Sequence, residues 1–201
     1  MRTLIVSLVL CLLTHVGFSQ VILKIDNGFN AYNVKGEALN LWEGKAYSYS
    51  GLLGVDYGHL FGNIITFSSQ VGYIRQGGKE AYISPESDRH VEDWGYLHLN
   101  STVRLQTREK TSLYIGVGPY ANVLMGDGKF KREFQYQGFD VDKVNYGVKT
   151  EIGFNHSFGE CLQVGLNYTL LLPVTAIIHT DYVHDKLRSS GVYASVGYRL
   201  R

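Results

Sequence analysis

Residues 97–106, Leu-His-Leu-Asn-Ser-Thr-Val-Arg-Leu-Gln, alternate with a period of two. Leu97, Leu99, Val103 and Leu105 share one parity, and His98, Asn100, Thr102, Arg104 and Gln106 share the other. Successive side chains of a strand point to opposite faces, so this segment predicts a strand with one apolar and one polar face. The pattern recurs along the chain. Tyr47, Tyr49, Leu53, Val55 and Tyr57 oppose Ser48, Ser50, Gly54 and Asp56. Val144, Tyr146, Val148, Ile152 and Phe154 oppose Asn145, Gly147, Lys149, Glu151 and Asn155. Eight strands are predicted, at 21–32, 47–57, 64–75, 95–106, 112–124, 144–156, 162–172 and 190–200. No segment combines a sustained 3.6-residue period with capping residues, so little helix is expected.

The links between these strands alternate in length. Those at 33–46, 76–94, 125–143 and 173–189 are long, and those at 58–63, 107–111 and 157–161 are short. An up-and-down meander with every long loop at one end produces this order. It is the order of an outer-membrane barrel, with short periplasmic turns and long external loops. Both chain ends then fall at the periplasmic end.

Residue size assigns the faces. Gly28, Gly54, Gly72, Gly116, Gly118, Gly147, Gly153, Gly165, Gly191 and Gly197 lie on the polar parity, as a narrow interior requires. Bulky apolar residues occupy the other parity, and a greasy exterior is stable only in lipid with every backbone group paired in a closed sheet. Tyr47, Tyr49, Tyr57, Tyr73, Tyr146, Phe154, Tyr168 and Tyr198 are expected to form interfacial girdles. Pro119 cannot donate to a ladder and is expected to weaken the fifth strand, at a bulge. The competing architecture is a soluble lipocalin-type barrel with its apolar face around a ligand cavity. It accounts for neither the inward glycines nor the alternating loops.

The start of the chain sets the compartment. Met1-Arg2-Thr3 precedes an apolar run from Leu4 to Val16, and Gly17-Phe18-Ser19 supplies small residues before Gln20. This is the pattern of a signal peptide over 1–19, removed before Gln20, leaving one barrel domain over 20–201. The remaining chain of about 180 residues is close to neutral and retains one cysteine, Cys161. It therefore forms no internal disulfide and has no basic surplus for nucleic acid. Twenty-three glycines and 15 tyrosines against 3 prolines suit a β-rich chain.

Several motifs carry a resemblance. Gly51-Leu52-Leu53-Gly54, Gln70-Val71-Gly72-Tyr73-Ile74-Arg75-Gln76-Gly77-Gly78, Gly116-Val117-Gly118-Pro119-Tyr120, Leu166-Asn167-Tyr168 and the ending Gly197-Tyr198-Arg199-Leu200 are spread over nearly all of the mature chain. In these the chain resembles the PorT-like outer-membrane β-barrel family of Bacteroidota. The resemblance implies the same barrel and, because some PorT-like proteins act in secretion, an accessory role in protein export. The chain ends in Leu200-Arg201, whereas outer-membrane chains usually end in an aromatic residue; Tyr198 stands nearest to that role.

Candidate chemistry is sparse. Lys24, Asp26, Asp56, Arg104, Lys149, Glu151 and Arg199 fall on the inward parity. Charges in a narrow lumen are costly unless paired, so a salt-bridged plug is expected, with Arg104 directed at Glu151 or Asp56. The rival is a polar path for a small solute. His179, Asp181, His184 and Asp185 lie close together in the fourth loop, but their spacing matches no zinc motif, and neither metal nor cofactor is expected. Membrane-barrel hydrolases need a nucleophile, base and acid near the rim. His90 with Asp88 and Asp93, or His184 with Asp181 and Ser189, supply the residue types without a motif that joins them. The second loop carries Tyr82, Pro85, Arg89, His90 and Trp94. The third carries Phe130, Lys131, Arg132, Phe134, Tyr136 and Phe139. Interleaved aromatic and basic residues suit a protein or glycan partner, while residues that cap the barrel would look the same. The expectation is an all-β, eight-stranded antiparallel up-and-down transmembrane β-barrel of the bacterial outer membrane. It meets outer-membrane lipid on its outside and has a non-enzymatic structural or interaction role.

Overall fold

The computed structural model describes residues 21–35, 45–61, 64–79, 91–129, 140–179 and 184–200. Eight long strands form the staves of a closed barrel. They are β1 (Val21–Lys35), β2 (Ala46–Leu60), β3 (Ile65–Lys79), β4 (Val91–Gln106), β5 (Thr111–Leu124), β7 (Val144–Phe158), β8 (Leu162–Pro173) and β10 (His184–Leu200). Two short strands, β6 (Asp140–Val141) and β9 (Ile178–His179), complete the set, and the described residues contain no helix. Each stave pairs antiparallel with the next, and β1 pairs with β10 from Val21↔Leu200 to Lys35↔Lys186. That last ladder leaves the barrel without an edge, so its strand backbone groups are paired within the wall.

All eight predicted strands are present, and most extend further toward the long-link end. β3 runs to Lys79 and β4 starts at Val91, so the second external link is shorter than 76–94. Trp94 is accordingly not a loop residue: it belongs to β4 and points inward, buried. Strands of 12 to 17 residues exceed the roughly 9–11 needed to cross a bilayer. The excess lies at the external end. There β6 pairs with β9, and β9 with His184 and Asp185 of β10, forming a small sheet over the rim.

Two further expectations change. β5 continues through Pro119 with an unaltered offset against β4, from Asn100↔Tyr120 to Val103↔Val117. The proline interrupts the ladder by lacking an N–H, without inserting a residue. The register shift lies instead between Tyr57 and Leu60, where β2 meets β3. In the turn that follows, Phe61 takes a positive φ of 50°. Tyr168 sits at the middle of β8, opposite Ile152, and not in an end girdle.

The faces follow parity. Leu53, Leu99, Leu105, Leu113, Ile115, Val117, Ile152, Leu166 and Val196 are all exposed around the outside. Phe29, the most exposed of the strand aromatics on β1, packs edge-on against Tyr49 at 5.7 Å. Tyr57 stacks on Phe67 at 6.0 Å near the short-turn end. The interior is polar along most of its depth. Water as the solvent would reverse this arrangement, because leaving apolar area exposed costs about 25 cal/mol per Å².

Candidate functional site

The lumen is filled in tiers. In the half toward the short turns is a network of six charges. Lys24 Nζ lies 3.2 Å from Asp56 Oδ1 and 3.8 Å from Asp26 Oδ2. Arg104 Nη1 donates to Asp56 Oδ2 at 2.9 Å, and its Nε donates to Glu151 Oε1. Lys149 Nζ lies 3.0 Å from Glu151 Oε2 and donates to Asn100 Oδ1 at 3.2 Å and to Gln70 Oε1. Gln70 in turn donates to Asp26, and Thr102 donates to Glu151 Oε1 at 3.1 Å. The Arg104 guanidinium also lies 4.6 Å above the Tyr114 ring. Three cations and three carboxylates balance, and all six residues are buried. This is the condition under which charges persist in a low-dielectric interior.

β1, β2, β4 and β7 position these groups because inward side chains recur at every second residue. The small residues between them make room. A Cβ on Gly116 would lie 2.9 Å from Glu151 Cγ and 3.1 Å from Arg104 Cγ. A Cβ on Gly54 would lie 2.9 Å from Lys24 Cε.

Arg199, placed with these charges by parity alone, joins none of the ion pairs above. It lines a polar cavity of about 230 Å³ at the short-turn end, together with Asp56, Thr66, Gln106, Ser112, Asn155 and Gln163. Near the end of β10 its backbone is in register with Ile22, which on its other side is in register with Asp56.

Above the charges lies a tier of amides. His98 Nδ1 and Asn122 Oδ1 are 2.6 Å apart, and Asn122 Nδ2 donates to Gln76 and to Asn145 at 2.9 Å each. Above that again the interior becomes apolar. Tyr32, Val34, Leu52, Ile74, Trp94, Tyr96, Tyr120, Leu171, Ile177, Leu187 and Tyr193 form one buried cluster. Ile177, from the link after β8, is fully buried, and its carbonyl accepts from Asp142 N at 2.9 Å. The two-face reading missed this cap. Its signal lies in Ile74, Leu171 and Leu187, apolar residues that interrupt the polar parity toward the external ends, and in Leu52 at the middle of β2.

The other proposed groupings do not assemble among the described residues. No cluster of three or more metal-ligating side chains is found there. His179 and His184 are backbone partners in register, and Asp185 is opposite Ile178, while Asp181 lies outside the described residues. His90 and Asp88 lie outside them too, and Asp93 is bound by Arg75 at 3.3 Å. Ser189 is buried in the lumen. Tyr82, Pro85, Arg89, Phe130, Lys131, Arg132, Phe134, Tyr136, Phe139 and residues 1–19 are outside the described set.

No protein-family model matches the chain. No curated protein matches it either. Solved structures do. The barrel superposes on OprG, an outer-membrane protein from Pseudomonas aeruginosa, with a TM-score of 0.60 at 15% identity, covering 90% of this chain and 96% of that one. It superposes on neisserial surface protein A with a TM-score of 0.54 at 15% identity, covering 90% and 97%. It also superposes on Ail, the attachment invasion locus protein of Yersinia pestis, solved with the heparin analogue sucrose octasulfate. That match has a TM-score of 0.51 at 14% identity and covers 90% and 99%. At such identities the likeness is one of fold: a small eight-stranded barrel of outer-membrane type.

Proposed function

We propose that the protein is a non-enzymatic integral barrel of the bacterial outer membrane, exported by a signal peptide over residues 1–19, with a structural or interaction role in the envelope. The observation that carries this reading is the inversion of the barrel: an apolar exterior around a sealed polar interior. Leu113 and Ile115 are 63% and 56% exposed on β5, while Arg104 is 1% exposed on its neighbour β4. Such a surface is stable in lipid and nowhere else.

Closure of the lumen favours this role over a small-solute pore. Charges, amides and the aromatic cap occupy successive depths, and a solute would have to displace all three. Partners are then met from outside, by lipid along the wall and by protein or glycan at the external rim. The heparin analogue held by Ail is in keeping with the glycan option. An accessory part in protein export follows from the PorT-like resemblance alone.

Fractionation with heat-dependent gel mobility tests the reading. The expected result is an outer-membrane protein that begins at Gln20 and migrates faster before boiling than after. A monodisperse protein soluble without detergent would overturn it.

A further inference from the structure

One sector of the outer rim carries a run of exposed cations. The sector made by β10, β1, β2 and β3 carries Lys186, Arg188, Lys45 and Arg75, all exposed, and Lys79 beside them. The backbone register sets Lys35 directly opposite Lys186, and Asn33 opposite Arg188. Among the described residues, Lys45, Lys79, Lys186 and Arg188 have no ion-pair partner, and Asp93 is engaged by Arg75. In the opposite sector the exposed cations are fewer: Lys129, 3.9 Å from Asp127, and Lys143, among the exposed Val123, Val144, Leu172 and Val174.

Directly beneath the band lie the rings of Phe29, Tyr47, Tyr49 and Tyr73, all exposed. Arg75 Nε donates to the Tyr73 hydroxyl at 3.2 Å, which joins the two layers. Exposed aromatic rings mark the level of the lipid headgroups. Arg75 stands two residues above Tyr73, and Arg188 four above Val192, the partner of Phe29. At about 3.3 Å per residue and a tilt near 40°, the cations stand roughly 5 to 10 Å above the rings. Arg75 thus falls within a phospholipid headgroup layer, about 5–7 Å per leaflet, whereas Arg188, and Lys186 two residues further out on β10, stand above it.

We propose that this sector binds the phosphate-bearing headgroup of an outer-leaflet glycolipid, its acyl chains lying over Phe29 and Tyr49. The proposal rests on the outer-membrane reading above. Charge complementarity selects an anionic occupant, and the height of the band selects a sugar-phosphate headgroup over a phospholipid.

Native mass spectrometry of the full folded barrel tests it, with bis-phosphorylated lipid A, phosphatidylglycerol and phosphatidylcholine as competing probes. Lipid A is expected to be retained in preference to both others. Lys45→Gln with Lys186→Gln and Arg188→Gln is expected to lower that retention on the order of tenfold or more. Lys110→Gln with Lys129→Gln and Lys143→Gln removes the same charge elsewhere and is expected to leave it unchanged. Equal retention of the three lipids, or equal loss in both variants, would overturn the proposal. Displacement of lipid A by soluble sucrose octasulfate at equal concentration would also overturn it, making the sector a glycan site. A chain that fails to fold into neutral vesicles, seen by unaltered gel mobility, fails the outer-membrane reading itself.

Discussion

Arg104 on β4 reaches Asp56 on β2 at 2.9 Å, with the whole of β3 between their strands. The contact runs through the lumen and not along the wall. Arg104 also donates to Glu151 on β7, so one guanidinium ties three staves that are not neighbours. Removing one partner of a buried pair leaves the others uncompensated, at a cost of about 3–5 kcal/mol. Arg104→Met is expected to destabilise the barrel by that amount in urea unfolding from vesicles, followed by the fluorescence of the buried Trp94. Arg104→Lys keeps the charge without the two-pronged geometry and is expected to recover only part of it.

Gly116 faces the same network. An alanine there pushes on both Glu151 and Arg104, and overpacking of this kind costs about 1–3 kcal/mol. Val117→Ala, one residue on, faces outward and is expected to cost less. The same unfolding measurement compares them, and equal losses would argue against a crowded interior.

The outward face is tested by charge. Leu99 is exposed near the middle of β4, where an arginine facing lipid costs about 2–4 kcal/mol at the bilayer midplane. Leu99→Arg is expected to fold poorly into vesicles and to unfold at lower urea than the wild type. A soluble barrel would tolerate it, so an unchanged yield would count against the membrane reading.

Planar bilayers test closure. The folded wild type is expected to give no channel events. Tyr96→Ala opens space in the apolar cap but leaves the charge tier intact, so it is expected to stay closed as well. Steady conductance from the wild type would restore the pore reading.

Cys161 reports orientation. It is the free cysteine in the short turn between β7 and β8. A membrane-impermeant maleimide is expected to label it only after the outer membrane is permeabilised. Lys129→Cys, at the opposite end of the barrel, is expected to react on intact cells.

The staves were legible in the sequence because a strand with lipid on one side and a narrow lumen on the other must alternate strictly. The segment from Leu97 to Gln106 carries that alternation with Ser101 as its one lapse, and β4 follows it. Loop order was legible for the same reason, since the long links all lie at one end. The apolar cap was harder to read. Ile74 and Leu187 look like lapses in a polar parity until their strands are seen to rise beyond the bilayer. There the wall needs a core of the ordinary kind.

Alternation along the chain thus determined the number of strands, their order and which face each residue presents. That face is a local property, set by the two-residue period of the backbone. What a side chain meets on that face is not local. It depends on the stagger between strands, which brings Lys24, Arg104 and Lys149 to the depth of three carboxylates and leaves Arg199 outside those ion pairs, on the wall of a polar cavity. The same stagger gathers Lys45, Lys186 and Arg188 onto one side of the rim. Parity sorted these residues inside or outside, and only closure of the barrel gave each its height and its neighbours.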